Sequence, residues 1–230
     1  MSLSIGTEDG DKPMKSLVSI LFTCLACYAS TAIAVCSQPD NSVLASIVRV
    51  AGDDGSNGSG VVVAKNRVLT AAHVINEAKS VYIGFGGSFR EANILLIDGK
   101  NDIALLDTNT AHLAPIPLSR RSPQPNEQVW AIGYPLAQDL VTTSGVLDQL
   151  VGRDLHTTAG INSGQSGGGL ISCQAGRHVV AGMLRGFGAY LEGDHYVRLE
   201  NHSVSVAASD IKVLMDASSH LHSEYEHAHN

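Results

Sequence analysis

The sequence predicts an all-β protein, built as one barrel or as a pair of barrels. From Val43 onward it is a succession of short β-branched runs separated by turn residues, about ten of them at barrel-like spacing. Its 230 residues are 44% hydrophobic and 16% charged. That is enough to bury a sizeable core in one large domain or two small ones, and it excludes a broadly disordered chain. Helical periodicity is convincing only near the end, where Ser209 stands as a cap before "DIKVLMDA".

Met14-Lys15 precedes an apolar run, Leu17 to Tyr28, and Ala32-Ile33-Ala34 has the small-x-small form that signal peptidase cuts. Residues 1–34 therefore read as an N-terminal extension and export signal, and the domain is expected over 35–216. Residues 1–13 are polar and acidic, so Met14 is an alternative start. Leu17–Val35 also lies near the lower limit for a membrane span, and an uncleaved anchor is the rival reading. The expected destination is periplasmic or secreted, with membrane contact only if the segment stays. Beyond residue 34 two cysteines remain, Cys36 and Cys173, either joined by an oxidising compartment or left as thiols.

Within the domain, "SVLASIVRVA" is the first strand candidate and "GDDGSNGSG" (52–60) a turn cluster. "VVVAKNRVLTAA" gives two strands joined at Lys65-Asn66-Arg67, with a helical turn after "TAAH". "SVYIGF", "REANILLID" and "DIALLD" follow. The proline-containing stretch over 115–127 links the two halves. "QVWAIGY", "TTSGVLDQL", "GLISC" and "HVVAGML" complete the series, and no internal repeat is evident. Residues 217–230 carry His220, His222, His227 and His229 and read as a solvated tail, not a metal site. With a net charge of −7 and no Lys/Arg cluster, nucleic acid is excluded as the main partner.

The chemistry is concentrated in "INSGQSGGGL" (Ile161–Leu170). Its composition suits a flexible linker, but the apolar residues that follow at once favour a tight turn into a strand. A serine hydroxyl becomes nucleophilic only beside a base, and imidazole is the usual one at neutral pH. His73 in "RVLTAAHVI" follows an apolar strand that would hold it firmly. The imidazole in turn needs a carboxylate. Asp102, at the mouth of "DIALL", is the candidate, with Asp98 and Asp107 as rivals.

In the order His73, Asp102, Ser166, the blocks "LTAAHV", "NDIALL" and "GQSGG" resemble the catalytic blocks of the trypsin-like (chymotrypsin-fold) serine peptidases. "TTAGINSGQSGGGL", "AIGYPLAQDLVTTSGVL" and "SVSVAASDIKVLM" are more particularly similar to the HtrA/DegP-type branch, over roughly Val43 to Met215. The resemblance implies two six-stranded antiparallel β-barrels, a short C-terminal helix, and an active site in the cleft between the barrels. His73 and Asp102 would come from the first barrel and Ser166 from the second. The turn Gly164-Gln165-Ser166 would form the oxyanion hole, with the Gly164 and Ser166 N–H groups aimed at one spot. The specificity pocket would be walled by Thr158, Ala159 and Gly160 on one side and Met183, Leu184 and Arg185 on the other. Gly160 offers no acid for a basic substrate residue, so a small or medium apolar residue is the default. Arg185 either faces solvent or, turned inward, favours an acidic one.

The activity implied is that of an exported serine endopeptidase acting on polypeptides in protein quality control, with no metal or organic cofactor. The alternative is a catalytically weak binding or chaperone-like module on the same fold. Esterase activity is disfavoured because strand–helix alternation is missing. Gln165 stands where trypsin-type digestive enzymes carry the acid that receives a freed N-terminus, so activation by that route is not expected. About fifteen residues follow Met215, so none of the PDZ domains usual in the HtrA branch is expected. Gly169 and Tyr134 also depart from the family pattern, and the oligomeric state is left open.

Overall fold

The computed structural model describes residues 36–217. Twelve strands form two closed antiparallel barrels, as the all-β expectation and the family resemblance require. The first comprises β1 (Ile47–Gly52), β2 (Asn57–Ala64), β3 (Arg67–Thr70), β4 (Val81–Phe85), β5 (Ser88–Asp98) and β6 (Ile103–Asp107), in the spatial order β1-β2-β3-β6-β5-β4. The second comprises β7 (Gln128–Gly133), β8 (Val141–Val151), β9 (Asp154–Thr157), β10 (Gly169–Gln174), β11 (Arg177–Glu192) and β12 (His195–Ala207), in the order β10-β11-β12-β9-β8-β7. Closure removes the exposed strand edges that an open sheet would present. Val61, Val62 and Val63 are all buried, which is why β2 reads as a continuous valine run with no alternation. Among the described residues, the α-helices α1 (Asn41–Ala45), α2 (Ala72–Ile75) and α3 (208–217) and a 3-10 turn at Pro135–Ala137 flank the barrels.

Several boundaries differ from the sequence reading, each for a local reason. Val43–Ala45 belong to α1, not to the first strand. The Asp40 carboxylate accepts the N–H groups of Ser42 (2.9 Å) and Val43 (3.1 Å), and this cap outweighs the β-branched preference of the run. The turn cluster ends at Ser56. Residues 57–60 are already β2, where a Cβ on Gly60 would lie 2.8 Å from Val68 Cγ1. Helix α3 begins at 208, one residue before Ser209, so that serine sits inside the helix and does not cap it. Strand β9 and the long β11–β12 hairpin were not anticipated. The link over 115–127 is not slack: Leu118 makes a parallel bridge to Val180 of β11. The export signal expected within 1–34 lies outside the described residues, as does the histidine tail beyond residue 217.

Cys36 and Cys173 form a disulfide across a sequence separation of 137 residues. His178 Nε2 lies 3.1 Å from the Ser37 carbonyl, so the segment ahead of α1 is held against β10 and β11 by both links. In the chain-entropy account a loop of this size constrains the unfolded state by about 5 kcal/mol. The double variant Cys36→Ser/Cys173→Ser is therefore expected to lose about 3–5 kcal/mol in urea unfolding, as is the wild type under reductant. An unchanged urea midpoint would remove the disulfide from the list of stabilising elements.

Candidate active site

His73 sits on α2, directly after β3, where Ala71 and Ala72 are buried and fix the local backbone. Asp102 occupies the tight connection between β5 and β6 with φ 59°, a left-handed conformation that aspartate tolerates better than most residues. That turn carries its carboxylate beneath α2. The Ala72 N–H donates to the Asp102 carbonyl (3.2 Å), and the His73 N–H donates to Asp102 Oδ1 (2.9 Å). His73 Nδ1 lies 3.0 Å and 2.8 Å from Oδ1 and Oδ2. An ionised carboxylate only accepts, so Nδ1 carries the proton and Nε2 keeps its lone pair for chemistry. Asp98 is engaged by Lys100 and Asn101, and Asp107 pairs with Arg67 at 2.6 Å, so neither rival reaches the imidazole.

Asp102 is only 8% exposed. Burial alone would push its carboxyl up. The hydrogen bonds from the His73 ring and backbone, with the charges of His73 and Arg185, outweigh this and hold it below the usual 3.8. Arg185 was expected to line a pocket or face solvent. Its side chain is 41% exposed, and its guanidinium lies beside two carboxylates, with Nε 3.6 Å from Asp102 Oδ2 and Nη1 3.4 Å from Asp154 Oδ2. A charged residue at the end of the buried run "VVAGML" needs such partners, and that was the signal available in the sequence.

Ser166 stands at the end of a rigid turn, not in a linker. Gly164 and Gly167 adopt φ +89° and +84°. A Cβ on Gly167 would lie 2.1 Å from the Ser59 carbonyl and 2.4 Å from Thr70 Oγ1, so no larger residue fits there without displacing backbone. Ser59, fully buried in β2 of the first barrel, fastens the turn. Its N–H donates to the Ser166 carbonyl and its hydroxyl to the Gly164 carbonyl, each at 2.8 Å, while the hydroxyl oxygen accepts the Tyr134 N–H. The sequence reading missed Ser59, although a serine within the buried valine strand had to find partners. Ser59→Ala strands the Gly164 carbonyl and the Tyr134 N–H, so a loss of about 1–3 kcal/mol is expected in thermal or urea unfolding. An unchanged stability would mean that Ser59 does not fasten the turn.

The Gly164 and Ser166 amides have no acceptor among the described residues and are free for a ligand oxygen. The Gln165 amide, grouped with them in the sequence reading, is not free. It donates to the Asn162 carbonyl (3.1 Å), because closing the turn consumes it. The Gln165 side chain is buried and its Oε1 accepts the Asn162 N–H (2.7 Å). The Ser166 hydroxyl itself donates to the Arg185 carbonyl (3.1 Å), not to His73.

Beside this turn lies a cavity of about 800 Å³ lined by Thr158, Gly160, Ile161, Asn162, Arg198 and Asn201, among others. Thr158 and Gly160, two of the residues expected to wall the specificity pocket, line this cavity. Ala159, Met183 and Leu184 do not contribute side chains to it, being fully buried in the barrel cores. Arg198, unanticipated, reaches over from β12. It donates to the Ile161 carbonyl and to Asn162 Oδ1, and stacks 4.6 Å from the Phe187 ring centroid.

Comparison with known proteins agrees with this geometry. The family model of the trypsin-like peptidase domain matches residues 58–183. Serine endoprotease DegS of Escherichia coli is 34% identical over 128 residues, covering 50% of this chain and 36% of DegS. Serine protease HTRA1 of Xenopus laevis is 33% identical over 133 residues, covering 51% of this chain and 29% of HTRA1. This chain therefore spans about a third of the length of these curated relatives. Among solved structures, the serine endoprotease from Yersinia pestis superposes with a TM-score of 0.66 at 26% identity, over 79% of this chain and 68% of that one.

Proposed function

The chain belongs to the trypsin-like peptidase family, and from that premise we propose that it is an exported serine endopeptidase using Ser166, His73 and Asp102. The observation that carries the reading is the His73 ring held by Asp102 through Nδ1, across the cleft from a nucleophile turn with two free amides. Reaction begins when the Ser166 hydroxyl leaves the Arg185 carbonyl, a rotation between staggered side-chain positions, and donates to His73 Nε2. Ser166 Oγ then attacks the scissile carbonyl carbon while its proton passes to Nε2. Ionised Asp102 stabilises the imidazolium. The developing oxyanion takes the Gly164 and Ser166 N–H groups, each worth roughly 3–4 kcal/mol in the transition state. His73 returns the proton to the leaving amine, and water, deprotonated by the same imidazole, releases the acyl group.

Export is part of the proposal. It is supported by the charged–apolar–small order of residues 15–34 and by the Cys36–Cys173 disulfide, a bond that persists in oxidising compartments. A role in protein quality control extends it by family likeness. A second reading, a weakly catalytic binding or chaperone-like module, is favoured by one observation: the Ser166 hydroxyl rests on Arg185 and not on His73. Fluorophosphonate labelling of the full chain, beside Ser166→Ala, separates the two. Labelling that disappears in the variant supports the peptidase. A folded wild type that takes no label overturns it and leaves the binding module.

A further inference from the structure

Between β7 and β8 the chain makes a turn, Pro135–Ala137, whose backbone is strained. Leu136 and Ala137 have φ 51° and 55°, the left-handed region that residues with a Cβ avoid. Leu136 is 65% exposed, so no burial of its side chain offsets this. Such a conformation persists only where its surroundings impose it. Here the constraint comes from the other barrel, through Arg49 on β1. Its Nη1 donates to the Ala137 carbonyl and its Nη2 to the Gln138 carbonyl. The guanidinium also lies 4.7 Å from the centroid of the Tyr134 ring, with Asp139 Oδ1 4.0 Å from Nη2. The planar fork of an arginine suits two successive carbonyls, where a lysine offers one point charge. At the near end of the turn, the Tyr134 hydroxyl donates to the Ile47 carbonyl (3.2 Å), so β1 grips the segment at two places.

The turn bears on the chemistry through a single peptide unit. The Leu136 N–H donates to the Ser163 carbonyl (2.8 Å). That carbonyl and the Gly164 N–H belong to one planar trans peptide and point in opposite directions. Fixing the first therefore aims the second, one of the two free amides beside Ser166. The turn also packs directly on Gly164, where a Cβ would lie 2.7 Å from the Tyr134 carbonyl oxygen and 2.8 Å from the Leu136 nitrogen. We propose that Arg49 is a positioning residue for the reaction: by holding Leu136 and Ala137 left-handed, it keeps the Gly164 amide aimed at the developing oxyanion. Arg49 acts through Leu136 and Ser163 and is assigned no contact with substrate or reacting atoms. The first barrel then supplies the base directly and, through Arg49, the alignment of an amide in the second. The inference rests on the peptidase reading of Ser166.

The test is Arg49→Met in the full chain, which keeps an apolar stem beside Tyr134 and removes every donor. With a peptidyl valine thiobenzyl ester, kcat per folded molecule is expected to fall about 10- to 100-fold while KM stays within about twofold, the pattern of a misaimed oxyanion donor. The inhibition constant of a peptidyl trifluoromethyl ketone, whose tetrahedral adduct takes the same amides, is expected to rise by a similar factor. Hydrogen exchange at the Leu136 amide needs no activity, and in the variant it is expected to quicken by at least about tenfold. A kcat within about twofold of the wild type, a loss carried by KM alone, or Leu136 exchange at the wild-type rate overturns the inference. Failure of the peptidase reading is seen separately, as a folded wild type that takes no fluorophosphonate label or as ester hydrolysis that persists in Ser166→Ala. In that event the positioning role falls with the reading, and the exchange rate still shows whether Arg49 holds the turn.

Discussion

The Ser166→Ala variant is expected to lose about 10⁶-fold in kcat while remaining folded, because the nucleophile, its base and the orienting acid act as one unit. The substitution removes only Oγ, which among the described residues bonds to the Arg185 carbonyl. The His73–Asp102 pair and the Ser59 contacts that fasten the turn do not depend on it. Circular dichroism and urea midpoints should therefore match the wild type. What rate remains would come from the free Gly164 and Ser166 amides and from substrate binding, which alone retain about 10³–10⁴ over water in triad enzymes. A variant within tenfold of the wild type would show that Ser166 is not the nucleophile.

Asp102→Asn is the second large effect, about 10⁴-fold in kcat with the fold intact. An asparagine oxygen can still accept the His73 backbone N–H, which Asp102 Oδ1 now takes at 2.9 Å. Its amide nitrogen, however, donates towards Nδ1, so the ring proton moves to Nε2 and the base is lost. The same change alters stability in acid. The Asp102 carboxyl is held below the usual 3.8 in the folded protein, so its contribution is present above that pH. It is lost as the pH falls through the folded value. The wild type is expected to show an added loss of stability below about pH 3.8 that the asparagine variant lacks, as read from urea midpoints across pH. Parallel midpoint curves would mean that Asp102 is not held ionised by its neighbours. An asparagine variant as active as the wild type would remove Asp102 from the mechanism.

Most strands and the three residues of the proposed triad were legible because they are local patterns: β-branched runs between turn residues, and a histidine, an aspartate and a serine each beside an apolar strand. What escaped the sequence was set by neighbours distant along the chain. α1 replaced the start of the first strand because one carboxylate, Asp40, caps it. Arg185 could be assigned no direction until β9 brought Asp154 beside it. The β11–β12 hairpin escaped for a different reason. "RGFGAYLEGDHYVRLEN" has two early glycines and scattered charges, which read as loop. The pairing runs on despite register shifts near Gly186 and Ala189. Ser59 looks like one more residue of a glycine-serine turn until the second barrel delivers the Gly164 carbonyl to it.

The bond between Cys36 and Cys173 also bears on the proposed peptidase activity. It closes a covalent ring around His73, Asp102 and Ser166 alike. If one molecule nicks another in the exposed stretch 111–115, the two pieces stay tethered by the disulfide. Self-digestion within the ring would then leave a nicked species that runs as one band on a non-reducing gel and as two once thiol is added. Loss of activity would follow reduction, not the cut.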